Sequence, residues 1–250
     1  MRLVATSAEL LFVSALNPVV VRSTAAVQEG DIEQLESLLR NYPWLAVARF
    51  GDAECHRTLL HAATDWPGNF PNGRAVVERL VAAGADVNAC SLFDGHTETA
   101  LHWAASSDDV VMVDALLDAG ADIEAPGALA GGGAPLADAC GFGNWAVARR
   151  LVQRGARPRL LDAAALGLMD EVRERLAATP APTSEEVTHA LWSACAGGQS
   201  IAALLLVERG ADVNWVGWDD LTPLDVAERE RAADLVMRLI ERGARHAADL

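Results

Sequence analysis

The stretch from Thr97 to Ala125 reads TETALHWAASSDDVVMVDALLDAGADIEA, and its spacing returns along the chain. Leu101 and Leu116 are fifteen residues apart, and Gly120 follows four residues later. The same fifteen-plus-four spacing occurs at Leu136, Leu151 and Gly155, at Leu191, Leu206 and Gly210, and at Leu224, Leu239 and Gly243. Self-similarity at a period of about 33 residues predicts a chain of stacked copies of one small repeat.

The residues that open and close this stretch resemble an ankyrin repeat. The segment from Thr99 to Ala104, TALHWA, fits the Thr-Pro-Leu-His-x-Ala opening with only the proline replaced, and Gly120-Ala121-Asp122 closes the repeat as in that family. The resemblance implies an all-α solenoid of helix pairs, in which a short hairpin-like segment, here called a finger, follows each Gly-Ala-Asp. It also implies protein–protein interaction as the default activity.

Three more repeats fit the same frame. Leu160 and Gly167 mark one between Gly155 and Gly210, Leu60 opens one that ends at Gly84, and a degenerate one surrounds Gly30. We predict seven helix pairs in one domain at residues 25–246, with repeats near 25–43, 58–89, 99–125, 134–158, 159–180, 188–214 and 222–245.

The two ends of the array need polar or covering segments, since an end repeat has no neighbour. Residues 228–231, ERER, suit a C-terminal cap. Residues 1–24 form an N-terminal extension, in which residues 8–13 either fold as a capping helix or stay disordered.

Composition limits the partners. The net charge of −15 and the pI of about 4.7 disfavour nucleic acid and anionic membranes and favour a basic or neutral protein.

All positive side chains are arginine, which suggests a GC-rich, bacterial genome. Four scattered cysteines indicate neither disulfides nor a structural metal, and the apolar N-terminal run is too short to span a bilayer. We expect a cytoplasmic monomer without a cofactor.

The second repeat contains an insertion. Leu60 and Leu80 are twenty residues apart instead of fifteen, so the segment from Trp66 to Gly73, WPGNFPNG, carries five extra residues. Its tryptophan, its two prolines and Phe70 make it stiff and apolar, unlike a flexible linker. Inserted loops often carry specificity, so this loop is a candidate binding element.

Helical spacing predicts which side chains line the concave groove. The residue after the histidine slot and those three and four later share one face of each first helix. The positions are Ala62, Asp65, Trp66, Trp103, Ser106, Ser107, Asp138, Gly141, Phe142, Asp162, Ala165, Leu166, Ser193, Ala196 and Gly197. Three carboxylates and three large aromatics would suit a small cationic and apolar ligand. Alternatively, the tryptophans only pack and Asp138 and Asp162 are solvated.

Two further functional hypotheses follow. Asp138 and Asp162 on neighbouring helices could act as an acid–base pair, but no nucleophile motif, phosphate loop or metal-ligand motif accompanies them. Apolar residues at the finger tips, namely Phe93, Trp215 and Trp218, are typical of protein contacts. We therefore expect a protein-binding scaffold, with small-molecule binding or catalysis in the groove as the alternative.

Overall fold

The computed structural model describes residues 11–93, 95–129 and 132–250, and the chain forms two compact units, Met1–Ala139 and Cys140–Leu250. The helices of the N-terminal unit are α1 (Pro18–Glu29), α2 (Ile32–Asn41), α3 (Leu59–Ala63), α4 (Gly73–Ala82), α5 (Ala100–Ser106) and α6 (Val110–Asp118). The boundary between the units lies within α7 (Pro135–Gly141). The C-terminal unit continues with α8 (Trp145–Gln153), α9 (Leu160–Leu166), α10 (Met169–Leu176), α11 (Ser184–Ala196), α12 (Ser200–Glu208), α13 (Pro223–Arg229) and α14 (Ala233–Ile240).

The predicted all-α class and the number of helix pairs are confirmed. Fourteen α-helices among the described residues correspond to the seven predicted pairs. The leucines that set the repeat spacing are the core, because all eight, from Leu101 to Leu239, are at most 2% exposed. Gly120 and Gly155 have φ values of 95° and 102°, so they make the left-handed turn that ends a second helix.

The first helices begin at a side-chain cap. In α5 the backbone N–H of Thr99 donates to Nδ1 of His102 at 3.1 Å, and in α3 Thr58 and His61 make the same bond at 3.3 Å. In α13 the acceptor is a carboxylate, with Thr222 donating to Oδ2 of Asp225 at 2.9 Å. The residue three positions into the helix therefore satisfies a backbone donor that the helix leaves unpaired.

The N-terminal segment differs from the prediction. Residues 1–10 lie outside the described part of the chain, but Phe12–Val13 form a strand, β1, rather than a helix or a disordered tail. This strand pairs in parallel with β2 (Arg49–Gly51), which pairs antiparallel with β3 (His56–Arg57). The backbone N–H of Arg49 also donates to the carbonyl oxygen of Leu11 at 2.8 Å, so the segment is tied down by backbone bonds that hydropathy does not reveal.

Helix α1 starts before the repeat boundary predicted at residue 25. Asn17 accepts a hydrogen bond from the backbone N–H of Val19 at 2.9 Å, and Pro18 occupies the first helical turn. Asparagine followed by proline is a helix start signal, and here it places the start of α1 before the predicted boundary.

The C-terminal end is polar in part. Residues 228–231 are all exposed, as a cap requires, although Met237 and Ile240 on α14 are exposed too. The tail is anchored by Asp225, which accepts from the backbone N–H of Ala247 at 2.9 Å and lies 2.7 Å from Nδ1 of His246.

The four cysteines are free thiols in different environments. Burial raises the pKa of Cys195 to about 12, and burial, followed by the nearby charge of Asp162, raises the pKa of Cys140. Cys90 is half-buried and Cys55 is exposed. Over the described residues, every helix falls short of the length and apolar character that crossing a membrane requires.

Candidate functional site

The inserted loop of the second repeat is held on one side by the first helix pair. Gly30, between α1 and α2, has a φ of 67°, and a Cβ atom there would lie 2.3 Å from the carbonyl oxygen of Pro71. The side-chain amide of Asn72 donates to the carbonyl oxygen of Gly30 at 2.9 Å. Only glycine therefore permits the loop to lie this close to the first repeat.

The third repeat holds the other side of the loop. The backbone N–H of Asn69 donates to Oδ2 of Asp109 at 2.7 Å, and Oδ1 of the same carboxylate accepts from the backbone N–H of Met112 at 2.9 Å. A Cβ atom on Gly68 would meet the side chain of Ser107 at 2.7 Å. The predicted site residue Ser107 thus supports the loop, which is fixed at both ends.

This fixed loop presents Trp66 to solvent. The side chain is 82% exposed, and its backbone N–H donates to Oδ1 of Asp65 at 2.9 Å. Asp65 itself forms an ion pair with Arg57. The predicted carboxylate is therefore partly neutralised and orients the backbone of Trp66, while Phe70, in the same loop, is half-buried and borders a shallow depression next to α4 and α6.

Trp103 and Asp138 belong to a buried cluster of the N-terminal unit. The indole Nε1 of Trp103 donates to Oε2 of Glu98 at 3.1 Å, and its ring contacts that of His61 edge-on at 5.1 Å. Asp138 is 0% exposed, not solvated as in the alternative hypothesis, and hydrogen-bonds the carboxyl group of Glu98. Burial raises the pKa of Glu98, and a hydrogen bond between two carboxyl groups requires a proton on one of them.

Asp162 lies one position away from the predicted groove face. The sequence frame aligned Leu160 with Leu101, but α9 is capped at Arg159, so Asp162 occupies the capping position of His61 and His102. It accepts from the backbone N–H of Arg159 and from its Nε, both at 2.9 Å. The repeat frame therefore placed Asp162 on the groove face by a shift of one residue, because the missing threonine hid the true start of the helix.

The geometry gives no support to an acid–base pair. Asp138 and Asp162 are 0% and 1% exposed, and each already interacts with a side chain of its own unit. A general acid or base needs hydrogen-bond reach to a substrate. No three metal-ligating side chains come together within residues 11–93, 95–129 and 132–250.

The remaining predicted residues are exposed to different degrees. Phe93 is 65% exposed on a finger whose backbone closes through an antiparallel bridge to His96. Phe142 is exposed just after α7. Trp218 is 47% exposed and Trp215 half-buried, and both contact the ring of His189.

Sequence reasoning missed four of the residues that shape these sites, namely Glu98, His189, Trp192 and Arg229. His189 and Trp192 are three residues apart on α11, a spacing that puts both on one helix face. That spacing was a usable signal. Glu98 precedes the capping threonine of α5, where the repeat pattern gives no hint of burial.

The comparisons with known proteins agree with the repeat pattern. A family model described as "Ankyrin repeats (3 copies)" matches residues 24–126 and 70–162. The chain is also 31% identical over 186 residues to "Ankyrin repeat and KH domain-containing protein CBG24701" of Caenorhabditis briggsae. The match covers 71% of this chain but 7% of that protein, and a nematode relative does not support the bacterial source expected from arginine usage.

The family match spans more than half of the chain and coincides with helices whose first turns carry the Thr-x-Leu-His cap at Thr58 and Thr99. The capping bonds, the buried leucines and the left-handed glycines are the structural features that explain why the chain has the residue pattern of this family. The chain belongs to the ankyrin-repeat family.

Proposed function

We propose that this chain is a protein-binding module that uses the inserted loop of the second repeat and the finger tips as its contact surface. Ankyrin repeats generally mediate protein–protein interaction. The observation that carries the proposal is the exposure of Trp66 on a loop fixed at both ends. A large indole held rigidly in solvent loses little conformational entropy on binding, and tryptophan is enriched among residues that dominate binding energy.

The contacts within the N-terminal unit separate contact residues from supporting residues. Trp66 and Phe93 are exposed and would touch the partner, whereas Trp103, Ser107 and Asp138 are half-buried or buried and would hold the surface in place. Asp65 and Asp109 would fix the loop through Arg57 and Asn69. In the C-terminal unit, the exposed Phe142 and Trp218 would be the corresponding contact residues, and the half-buried Trp215, which packs against Trp218, would support them.

The net charge of −15 favours a basic or neutral partner over an acidic one. Free thiols at all four cysteines favour a reducing compartment such as the cytoplasm. We propose that the protein acts there as a monomer, which light scattering of the purified chain would test.

A comparative capture experiment tests the proposal. The tagged chain, its Trp66→Ala variant and a Val21→Ala control are used in parallel as baits, since Val21 is an exposed apolar residue on α1 outside the loop. We expect at least one protein that the parent and the control retain and that Trp66→Ala does not retain. Once that protein is purified, its Kd for the Trp66→Ala variant should be at least tenfold higher than its Kd for the parent chain. Equal retention on all three baits would contradict the proposal.

A further inference from the structure

Four aromatic rings of the C-terminal unit form a continuous cluster. The ring centroid of Trp218 lies 5.0 Å from that of Trp192, 5.4 Å from that of Trp215 and 5.2 Å from that of His189. His189 also contacts Trp215, with centroids 4.6 Å apart. Trp218 is therefore the hub of the cluster and its most exposed tryptophan.

Backbone contacts fix the cluster. The indole Nε1 of Trp192 donates to the carbonyl oxygen of Leu221 at 3.0 Å, which orients its ring. The ring of Trp215 lies against Gly217, where a Cβ atom would come within 2.2 Å of it. The backbone N–H of Gly217 donates to the carbonyl oxygen of Leu221 at 2.9 Å, closing the turn that carries Trp218. The exposed indole is thus held in position before any partner arrives.

The protein already places a cation on this cluster. The guanidinium carbon of Arg229 lies 6.0 Å from the ring centroid of Trp192, within the range of a cation–π interaction. The same guanidinium is paired with Asp219 at 3.1 Å and with Glu230 at 3.2 Å. The arrangement shows which chemistry these rings accept, namely a flat cation held between an indole face and carboxylates.

The exposed surroundings of Trp218 are acidic. Asp219 and Asp220 follow it directly, and both are exposed with φ values of 59° and 56°. Glu185, four residues before His189 on α11, lies 3.9 Å from Nε2 of His189. Arg229 offsets only one of these negative charges, so the exposed part of the cluster combines aromatic faces with a net negative charge.

We propose that this aromatic cluster, made of His189, Trp192, Trp215 and Trp218, captures an arginine side chain of a basic segment in a partner protein. The guanidinium would lie over the exposed part of Trp218, as that of Arg229 lies over Trp192, and Asp220 would neutralise its charge. This inference deepens the proposed protein-binding function and rests on it. It assigns the C-terminal unit its own recognition site, independent of Trp66.

The partner chemistry follows from complementarity. An apolar segment would leave Asp220 without compensation, and an acidic one would be repelled. Arginine matches both features, because its planar group stacks on aromatic faces and hydrogen-bonds carboxylates. A single cation–π contact is weak, so a segment with several arginines should bind more tightly than a segment with one.

The test uses the full chain and a fluorescein-labelled peptide, Gly-Arg-Gly-Arg-Gly-Arg-Gly, with a peptide of equal length containing citrulline in place of arginine. Citrulline keeps the shape of arginine but lacks its charge. Fluorescence anisotropy in about 0.15 M salt, where surface attraction is screened beyond about 8 Å, measures the two affinities. We expect the arginine peptide to bind at least tenfold more tightly than the citrulline peptide.

Variants then locate the site. Trp218→Ala should weaken binding of the arginine peptide at least tenfold, Asp220→Asn should weaken it several-fold, and Trp218→Phe should retain most of it. The matched control is Ile201→Ala, at an exposed apolar residue on α12 of the same unit, which should bind the peptide like the parent chain. Circular dichroism and the urea midpoint show whether each variant is folded, and the several-fold loss expected for Asp220→Asn keeps the test valid if Trp218→Ala is not folded.

Three results would overturn the inference: no binding of the arginine peptide, equal binding of the citrulline peptide, or undiminished binding by folded Trp218→Ala. The last would mean that the general negative charge of the chain attracts the peptide. Failure of the protein-binding proposal is distinguishable, because it shows as equal capture by the parent and Trp66→Ala, whatever the peptide does at Trp218.

Discussion

The Nε2 atom of His61 lies 2.9 Å from the backbone carbonyl oxygen of Glu98, and Nδ1 of the same ring accepts from the backbone N–H of Thr58 at 3.3 Å. One nitrogen donates and the other accepts, so the ring is neutral and joins two successive repeats. A second proton would remove the acceptor that caps α3. Burial lowers the pKa of His61 to about 4, and burial lowers that of His102 to about 4 as well.

The first prediction is loss of stability in mild acid. In the unfolded chain the pKa of these histidines is near its ordinary value of 6.5, so below that pH the unfolded state binds protons that the folded state does not bind. The stabilisation is therefore present above pH 6.5 and is lost as the pH falls towards 4. Urea unfolding should show a loss of about 2 kcal/mol per buried histidine between pH 7 and pH 5.

Two variants isolate the contribution of His61. His61→Asn should reduce the pH dependence, whereas His96→Asn, at an exposed finger position, should leave it unchanged. Glu98 acts in the opposite direction, since its raised pKa favours the folded state at lower pH, and the difference between the variants removes that contribution. A pH dependence unaffected by His61→Asn would disprove the assignment.

The second prediction concerns the repeat leucines. Leu116 and Leu151 are both 0% exposed, so truncating either to alanine removes buried apolar surface and leaves a cavity. We expect each variant to lose about 2–5 kcal/mol of unfolding free energy in urea. Ile201→Ala, on the exposed face of α12, should change it by less than about 0.5 kcal/mol. A midpoint for Leu151→Ala that matches the parent would show that this leucine is not core.

The third prediction separates two tryptophans. Trp103 is half-buried between Glu98 and His61, so Trp103→Ala should cost about 2–4 kcal/mol of stability and leave the Glu98 carboxyl without its indole donor. Trp66→Ala should cost less than about 0.5 kcal/mol, because the side chain is in solvent. Thermal and urea unfolding of both variants measure the contrast, and equal losses would contradict it.

The fourth prediction concerns two glycines with positive φ. Gly84→Ala meets open space and should cost only the left-handed conformation, about 1–2 kcal/mol. Gly30→Ala adds a collision with the backbone of Pro71, so it should cost more and release the inserted loop. Limited proteolysis within residues 66–73 should accelerate for Gly30→Ala and not for Gly84→Ala. Equal stability of the two variants would show that the inserted loop moves away from residue 30 without any loss of unfolding free energy.

The repeat spacing predicted the helices well because each mark has one physical cause. Leu101 and Leu116 are buried, Gly120 turns left-handed, and Thr99 with His102 starts α5, so the same residue types must return at the same interval. The frame failed at α9, where Arg159 replaces the capping threonine and shifts the alignment by one residue.

The candidate site was harder to predict, because burial there depends on residues outside the repeat pattern. Asp138 has the correct spacing for a groove position, but Glu98 accepts from Trp103 and hydrogen-bonds the carboxyl group of Asp138 within the fold. The exposure of Trp66 followed from its insertion. The aromatic cluster needed tertiary contacts, since His189 lies more than twenty residues from Trp215 and Trp218 in sequence.

The different environments of the thiols give the protein a convenient labelling site. Thiolates, not thiols, react with maleimides, so Cys195, with its pKa of about 12, and the half-buried Cys140, whose pKa is raised too, should remain unmodified near pH 7. Cys55, exposed in the turn before β3, should react first, so a Cys90→Ser variant should accept a single dye there. A chain immobilised through Cys55 would carry no chemical attachment at the Trp218 surface.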